Sequence, residues 1–402
     1  MQRGFMGYFQ HTEKLPPDPI LELMWEFKKD PRQGKIDLSV GIYYDEHLRS
    51  HVLPSVKQAE HIVFDKEQSK TYLPIDGDAH FVEQTKKLIF GDQIVNSKKG
   101  LMYAAQAVGG TGALRVGAEF LARSLKSKIY LPAPTWENHL KVFSQAGLSC
   151  DTYPYYDFNE HSVDFARCVD FLETLSERSI ILLHACCHNP TGSDFTNQQW
   201  QQLSDIFLRK KLIPFFDMAY QGFGDGLEED AYAVRLFAQN HHEMFLAFSY
   251  SKICGLYAER VGALCFLGNS IDEVEAVASQ IKVLMRSNYS NPPKHGAVIV
   301  AELLSNDKLQ HLWRQELKHM QQRIVSMREA LAKALITKST RQDFSYLASK
   351  KGMFCFSSLK PQQVQLLRET QGIYMARTGR INLTGLSKNN VDLVAQAITM
   401  SI

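Results

Sequence analysis

From residue 101 onward the chain alternates short apolar runs with longer amphipathic stretches, and this alternation restricts its fold more than any other feature. The runs are Leu101–Ala107, Ile129–Leu131, Ile180–Leu183, Ile213–Phe216, Met244–Phe248 and Ala263–Leu267. Each is long enough for a buried strand and too short for a helix. The stretches between them, such as Gln198–Phe207, carry helical spacing. Strand–helix alternation predicts an α/β fold built on a mainly parallel sheet with helices on both faces. In such sheets ligands bind outside the carboxyl ends of the strands.

The residues with chemistry fall at those ends. After the first run comes Gly109-Gly110-Thr111-Gly112, and after the second Pro134-Thr135-Trp136-Glu137-Asn138-His139. The third is followed by His188-Asn189-Pro190-Thr191-Gly192, the fourth by Asp217-Met218-Ala219-Tyr220. The fifth leads into Ser249-Tyr250-Ser251-Lys252, with Arg260 eight residues beyond the lysine. A lone lysine after a strand is ordinarily a solvated loop charge. Here small hydroxyls and a guanidinium surround it. Ser and Arg hold phosphate and Lys condenses with an aldehyde, so the segment suits an anionic ligand with a reactive carbonyl. Gly109–Gly112 stands before a helical stretch, Ala113–Ser124, where free amides would add to a phosphate cradle. It is not GxGxxG, which disfavours a dinucleotide site.

Composition narrows the classes. The chain has 402 residues, 45% hydrophobic and 22% charged, with a net charge of +2. That balance predicts neither a nucleic-acid partner nor an acidic membrane surface. No run of 18 apolar residues exists to span a membrane, and the first residues carry no apolar signal region. The seven cysteines (150, 168, 186, 187, 254, 265, 355) stand mostly in apolar runs. They read as reduced thiols of a cytoplasmic protein. Cys186-Cys187 is poor metal-ligand spacing and no CxxC exists, so no metal site is expected.

The flanks are organised differently. Residues 1–16 have no period and suggest an arm lying on another surface. Pro19–Lys29 carries a helical stripe, Asp37–Tyr44 reads as a strand broken at Gly41, and Gln58–Lys66 and Ala79–Phe90 read as helices. Thr71-Tyr72-Leu73-Pro74-Ile75-Asp76-Gly77 is a turn-rich loop. Asn306 caps a long helix whose stripe runs from Leu309 to Leu335. Met353–Phe356, Pro361–Glu369 and Ile381–Leu386 then suggest a small α+β domain.

Ser-Tyr-Ser-Lys with Arg260, continued as Gly255-Leu256-Tyr257-Ala258-Glu259-Arg260-Val261-Gly262, resembles the lysine segment of class I, fold-type I aminotransferases that use pyridoxal 5′-phosphate (PLP), in their aspartate/aromatic subgroup. The resemblance runs from about Pro17 to the C-terminus. It implies a seven-stranded large domain at 49–310, an N-terminal arm and part of a small domain at 1–48, and an interdomain helix with the small domain at 311–402. It implies that Lys252 holds PLP. Gly110, Thr111, Ser249, Ser251 and Arg260 would take its phosphate, and Asp217 its pyridine nitrogen. Asn189 and Tyr220 would reach its phenolic oxygen, and Trp136 would stack on its ring. Arg380, within Arg377-Thr378-Gly379-Arg380, resembles the family's α-carboxylate fork, and Gly41 would lie against the substrate. Tyr72 would cross to the phosphate of a neighbouring subunit. Arg286 would pair with the side-chain carboxylate of a substrate bound to its partner, giving a homodimer.

The reaction implied is transamination between amino acids and 2-oxo acids, with Lys252, once freed, as general base and acid. Ile42-Tyr43-Tyr44, Gly109, the segment His184–Gly192 and the segment Tyr220–Tyr232 resemble bacterial aromatic aminotransferases. Thr111 and Asn291 fit the aspartate branch, and Arg286 fits both. Donors Tyr and Phe, together with Asp and Glu, and 2-oxoglutarate as acceptor are expected. An aspartate aminotransferase with weak aromatic activity is the alternative, and a non-catalytic PLP-fold binding protein is an alternative of another class.

Overall fold

The computed structural model describes residues 8–339 and 341–402, so the first part of the expected arm, residues 1–7, lies outside the described residues. The central sheet has seven strands: β1 (Met102–Val108), β2 (Ile129–Ala133), β3 (Cys150–Pro154), β4 (Ile180–His184), β5 (Ile213–Met218), β6 (Met244–Ser249) and β7 (Val261–Leu267). Their spatial order is β1-β7-β6-β5-β4-β2-β3. All are parallel except β7, which runs antiparallel to both β1 and β6. The reversal follows from chain length. Residues 250–260 join β6 to β7, too few for the crossover that a parallel neighbour requires. The residues carrying Lys252 and Arg260 therefore form a turn at the carboxyl end of β6, not a link into a helix.

β4, β6 and β7 are buried along their whole length. Alternate side chains enter two separate cores. Ile181, Leu183, Leu246 and Phe248 join one, and Ile180, Leu182, Phe245 and Ala247 the other. Period-two alternation between two apolar clusters is what helices on both faces require. β3 has no apolar run. Among the described residues it pairs only with β2, and it leaves Asp151 and Thr152 exposed, which is why its composition does not announce a strand.

The glycines expected to precede a helix form its first turn, in helix Gly109–Ser124. Helix Pro54–Lys66 begins four residues before the expected start, and helix Ala79–Ser97 continues beyond Phe90 through a kink at Gly91. Of the expected strand over Asp37–Tyr44, only Asp37 belongs to a strand, Ile36–Asp37, which pairs in parallel with Ile373–Tyr374. The segment after it is held by side chains instead. Asn382 Nδ2 donates to the carbonyls of Val40 (2.6 Å) and Ile42 (2.8 Å), and Thr384 Oγ1 donates to Ile42 (2.9 Å). These bonds seat Gly41 against the C-terminal part of the chain. There Phe354–Phe356 pairs antiparallel with Arg380–Asn382.

Helix Asp307–Lys338 is capped by the Asn306 side chain, which accepts from the Leu309 amide. It buries Leu309, Trp313, Leu317, Met320, Ile324, Met327, Leu331 and Leu335. The indole N–H of Trp313 donates to the Ile253 carbonyl at 2.8 Å. The long helix thereby pins the turn that bears Lys252.

Candidate active site

A cavity of about 490 Å³ opens at the carboxyl ends of β1, β2, β4, β5 and β6. Its first wall is the β6–β7 turn against the start of helix Gly109–Ser124. Arg260 donates from Nη1 to Ser251 Oγ (3.2 Å) and to the Tyr257 carbonyl (3.0 Å). Gly109 has φ +68°, and a Cβ there would stand 2.5 Å from Arg260 Nη2. A side chain there would push the guanidinium aside, and the positive φ is one that glycine adopts without strain. A Cβ on Gly110 would meet Ser249 Cβ at 3.0 Å, so helix and turn are in near contact. Gly110, Thr111, Ser249, Ser251 and Arg260 all line the cavity, with helix amides and a guanidinium converging on one place.

The floor is Asp217, at the end of β5. Its Oδ2 accepts from His139 Nε2 at 3.0 Å. His139 Nδ1 lies 2.8 Å from Thr135 Oγ1, which lies 3.1 Å from His184 Nε2. The Asn189 amide donates to His184 Nδ1 at 3.4 Å. A backbone N–H only donates, so His184 carries its hydrogen on Nε2, Thr135 passes one to His139 Nδ1, and His139 Nε2 donates to Asp217. Burial pushes the His184 imidazolium down to about 3, which keeps this ring neutral. Burial would raise the Asp217 carboxyl, but the His139 hydrogen bond, the flanking histidines and Lys252 hold it below the usual carboxylate range. Asp217 is thus a buried anion in the cavity wall.

Lys252 faces it across the cavity, with Nζ 5.2 Å from the Tyr220 ring centroid. Burial lowers the amine to about 8; Asp217 opposes this, while Arg260 and Arg380 add to it. Burial also raises the Tyr220 hydroxyl far above its ordinary value, so it stays protonated. Arg380 closes the other end. It is 5% exposed, donates from Nη2 to the Ser39 carbonyl (2.7 Å) and from Nη1 to Asn189 Oδ1 (3.2 Å), and lies over the Phe354 ring at 4.5 Å. Its Nε is buried with no partner among the described residues. An unsatisfied guanidinium N–H is costly unless a ligand completes it.

Gly41, Trp136 and Asn189 also line the cavity. Tyr72 and Arg286 do not. Tyr72 is 90% exposed, and Arg286 is exposed and bonds to Ser290 Oγ and Asn291 Oδ1. The cavity adds residues that sequence reasoning gave no role: Tyr257, whose hydroxyl accepts from the Tyr43 amide at 2.7 Å, Phe354, and Asp18, Ile20 and Leu21 at the mouth. Ile20 and Leu21 carried only the signal of a helical stripe. Elsewhere Cys186, Cys187 and Asp230 bring ligand-type atoms within 4.8 Å of one another. The Asp230 carboxylate there already accepts from the amides of Gly222, Gly224 and Asp225.

The family model described as aminotransferase class I and II matches residues 33–398. The chain belongs to this family. It is 44% identical over 393 residues to the aspartate aminotransferase of Escherichia coli (strain K12), covering 97% of this chain and 99% of that protein. Among solved structures it resembles the aromatic-amino-acid aminotransferase from Burkholderia pseudomallei covalently bound to pyridoxal phosphate (TM-score 0.95, 43% identity, 98% of this chain and 100% of that one). It also resembles a psychrophilic aromatic aminotransferase from Psychrobacter sp. B6 cocrystallised with aspartic acid (TM-score 0.95, 38% identity, 98% and 99%). This aminotransferase therefore has the fold-type I architecture and is a PLP-dependent transaminase of amino acids and 2-oxo acids. The residues present fit the cofactor: a glycine-lined anion cradle, an ionised buried carboxylate and a depressed amine share one cavity. Among the described residues no helix is long and apolar enough to cross a membrane.

Proposed function

We propose that this aminotransferase draws its amino group from aromatic donors, Tyr and Phe, and from Asp or Glu, and passes it to a 2-oxo acid such as 2-oxoglutarate in two half-reactions. The observation that carries the reading is the cavity's division. An under-bonded guanidinium, Arg380, stands at one point of a pocket whose mouth is lined by the apolar Ile20 and Leu21, with Trp136 also in its wall. The first suits an α-carboxylate and the second a large apolar side chain.

Bound here, PLP supplies an aldehyde that condenses with amines and a cationic ring that accepts the electron pair left when a Cα–H bond breaks. Gly110, Thr111, Ser249, Ser251 and Arg260 hold the phosphate. Asp217 holds a proton on the ring nitrogen, because its carboxylate is acceptor-only and the His139 bond keeps it so. Asn189 and Tyr220 donate to the phenolic oxygen, and Trp136 covers the ring. Arg380 orients the donor's carboxylate with Gly41 beside it. Lys252, displaced by the donor, takes the Cα proton on Nζ and returns it. Burial weakens the hold of the amine on its proton, which suits a group that must accept and release one.

The exposed Tyr72 and Arg286 are assigned to the cavity of a second copy, Tyr72 to its phosphate and Arg286 to the side-chain carboxylate of an acidic substrate. We divide the homodimer's subunit into an arm and part of a small domain (1–48), a large domain (49–310), and an interdomain helix with the rest of the small domain (311–402). Seven free thiols accord with work in the cytoplasm. Single-turnover bleaching of the lysine-bound cofactor's visible band, with phenylalanine, tyrosine and aspartate in turn, tests the reading. Aromatic donors should bleach it at rates comparable to aspartate. Bleaching by aspartate alone would make the protein an aspartate aminotransferase, the activity named for the Escherichia coli relative.

A further inference from the structure

Two carboxylates stand at the mouth of a cavity whose other charges are mostly cationic. Asp18 caps helix Pro19–Lys29, accepting from the amides of Ile20 and Leu21, and both apolar side chains line the mouth beside it. Glu137 follows Trp136 in the loop after β2 and also lines the cavity. Asp18 has a neighbour of opposite sign, Lys141 Nζ at 3.6 Å. Glu137 differs. It precedes helix Asn138–Gln145 yet makes no capping bond to it. Burial dominates the Arg380 guanidinium and lowers it, and Glu137 is, after Tyr220, one of the groups that counter that burial. A carboxylate that neither caps nor, among the described residues, pairs, and that lines the same cavity as the substrate's anchor, acts on whatever the cavity admits.

We propose that Glu137, with Asp18 as a weaker second, sets the donor preference by opposing a second carboxylate on the substrate. The inference rests on the reading of Arg380 as the α-carboxylate anchor. A neutral aromatic donor brings one carboxylate, which Arg380 takes, and an apolar side chain that Ile20 and Leu21 cover. An acidic donor brings a further negative charge into a mouth that already holds two, and these offset part of the attraction of the Arg286 assigned to that carboxylate from a second copy. Specificity of this kind is a difference between two binding free energies, obtained by penalising one ligand and not only by attracting the other. Glu137 does not touch the reacting atoms, so it is a specificity residue and not a catalytic one.

The test is steady-state transamination by the PLP-loaded enzyme with aspartate and with phenylalanine, in wild type, Glu137→Gln, Glu137→Lys and Asp18→Asn. Glu137 is exposed, so removing its screened charge should raise kcat/KM for aspartate only about two- to threefold, mostly through KM. The phenylalanine value should change far less. Glu137→Lys should move the ratio further in the same direction, and Asp18→Asn less, because Lys141 already offsets that charge. The gain from Glu137→Gln should shrink as ionic strength rises, a response that a merely structural role would not give. Equal changes for both donors, an unchanged ratio across the series, or a salt-independent gain would overturn the proposal. Absence of aromatic turnover in the wild type would instead sink the dual-substrate reading, so the two failures are distinct.

Discussion

Lys252 and Lys350 are alike in titration and unlike in surroundings. Burial lowers each amine to about 8, and among the described residues neither has a carboxylate within ion-pair distance. Lys350 donates to the His161 carbonyl and lies 5.9 Å and 5.8 Å from the ring centroids of Tyr156 and Tyr346. His161 stacks on Tyr346 at 3.9 Å. That amine is enclosed by groups that use its hydrogens and offers nothing to a ligand. Lys252 borders a cavity, faces an ionised Asp217, and has two guanidinium groups near it. A depressed amine is therefore not evidence of a site by itself. What separates the two is whether neighbouring groups are spent on the lysine or left free.

The comparison breaks most clearly by deletion. Lys252→Ala should lower kcat by about 10⁴-fold or more, since it removes both the covalent anchor and the proton carrier. Lys350→Met should leave kcat nearly unchanged. Comparable losses in both would mean that the enclosed lysine takes part in turnover. Asp217→Asn comes next, with about a 100- to 1000-fold loss of kcat, because an amide cannot replace the charge that holds a ring proton. Retention of full turnover would remove Asp217 from the mechanism. Arg380→Lys should raise KM for every amino donor about 10- to 100-fold, since an ammonium loses the fork that matches a carboxylate. An unchanged KM would show that the α-carboxylate binds elsewhere.

How much of this was legible in the sequence depends on range. The strand ends were legible because apolar runs stop at Gly, Asn, Asp and Ser, and those stops converge once the strands are parallel. The antiparallel course of β7 was not, since the runs look alike whichever way they point. β3 was hidden because an edge strand keeps polar residues exposed. Expecting a strand through Gly41 failed because Asn382 and Thr384, more than 300 residues away, hold that segment instead. The link from His139 to Asp217 spans 78 residues, and that from Arg380 to Asn189 spans 191. No local period encodes such pairs. The family resemblance, not the spacing, singled out Arg380 among many arginines.

Titration sharpens the comparison. The neutral amine is the nucleophile, so uptake of PLP by the cofactor-free protein should accelerate as pH rises through about 8, the value to which burial brings Lys252. Rates of absorbance growth across pH 6 to 10 measure this, and a rise centred near the ordinary lysine value would show that Lys252 is not desolvated before the cofactor arrives.

The smallest effect belongs to Lys350, and its sign is fixed by linkage. The folded amine sits at about 8 and the unfolded one near 10.5. Below 8 both states carry the proton, and folding bears the cost of burying an ammonium. Between the two values the unfolded chain binds more protons than the folded one, so stability rises with pH there and the cost is relieved. Lys350→Met removes the titrating group. The variant loses the bond to the His161 carbonyl, worth about 1 kcal/mol, but also the buried charge, so near neutrality the two should lie close in stability. The wild type should then gain on the variant from pH 8 upward, read as a growing difference in urea midpoints at equal slope. A difference that stays flat through that interval would place the Lys350 ammonium in water, and would leave Lys252 as the one of the two whose burial has consequences.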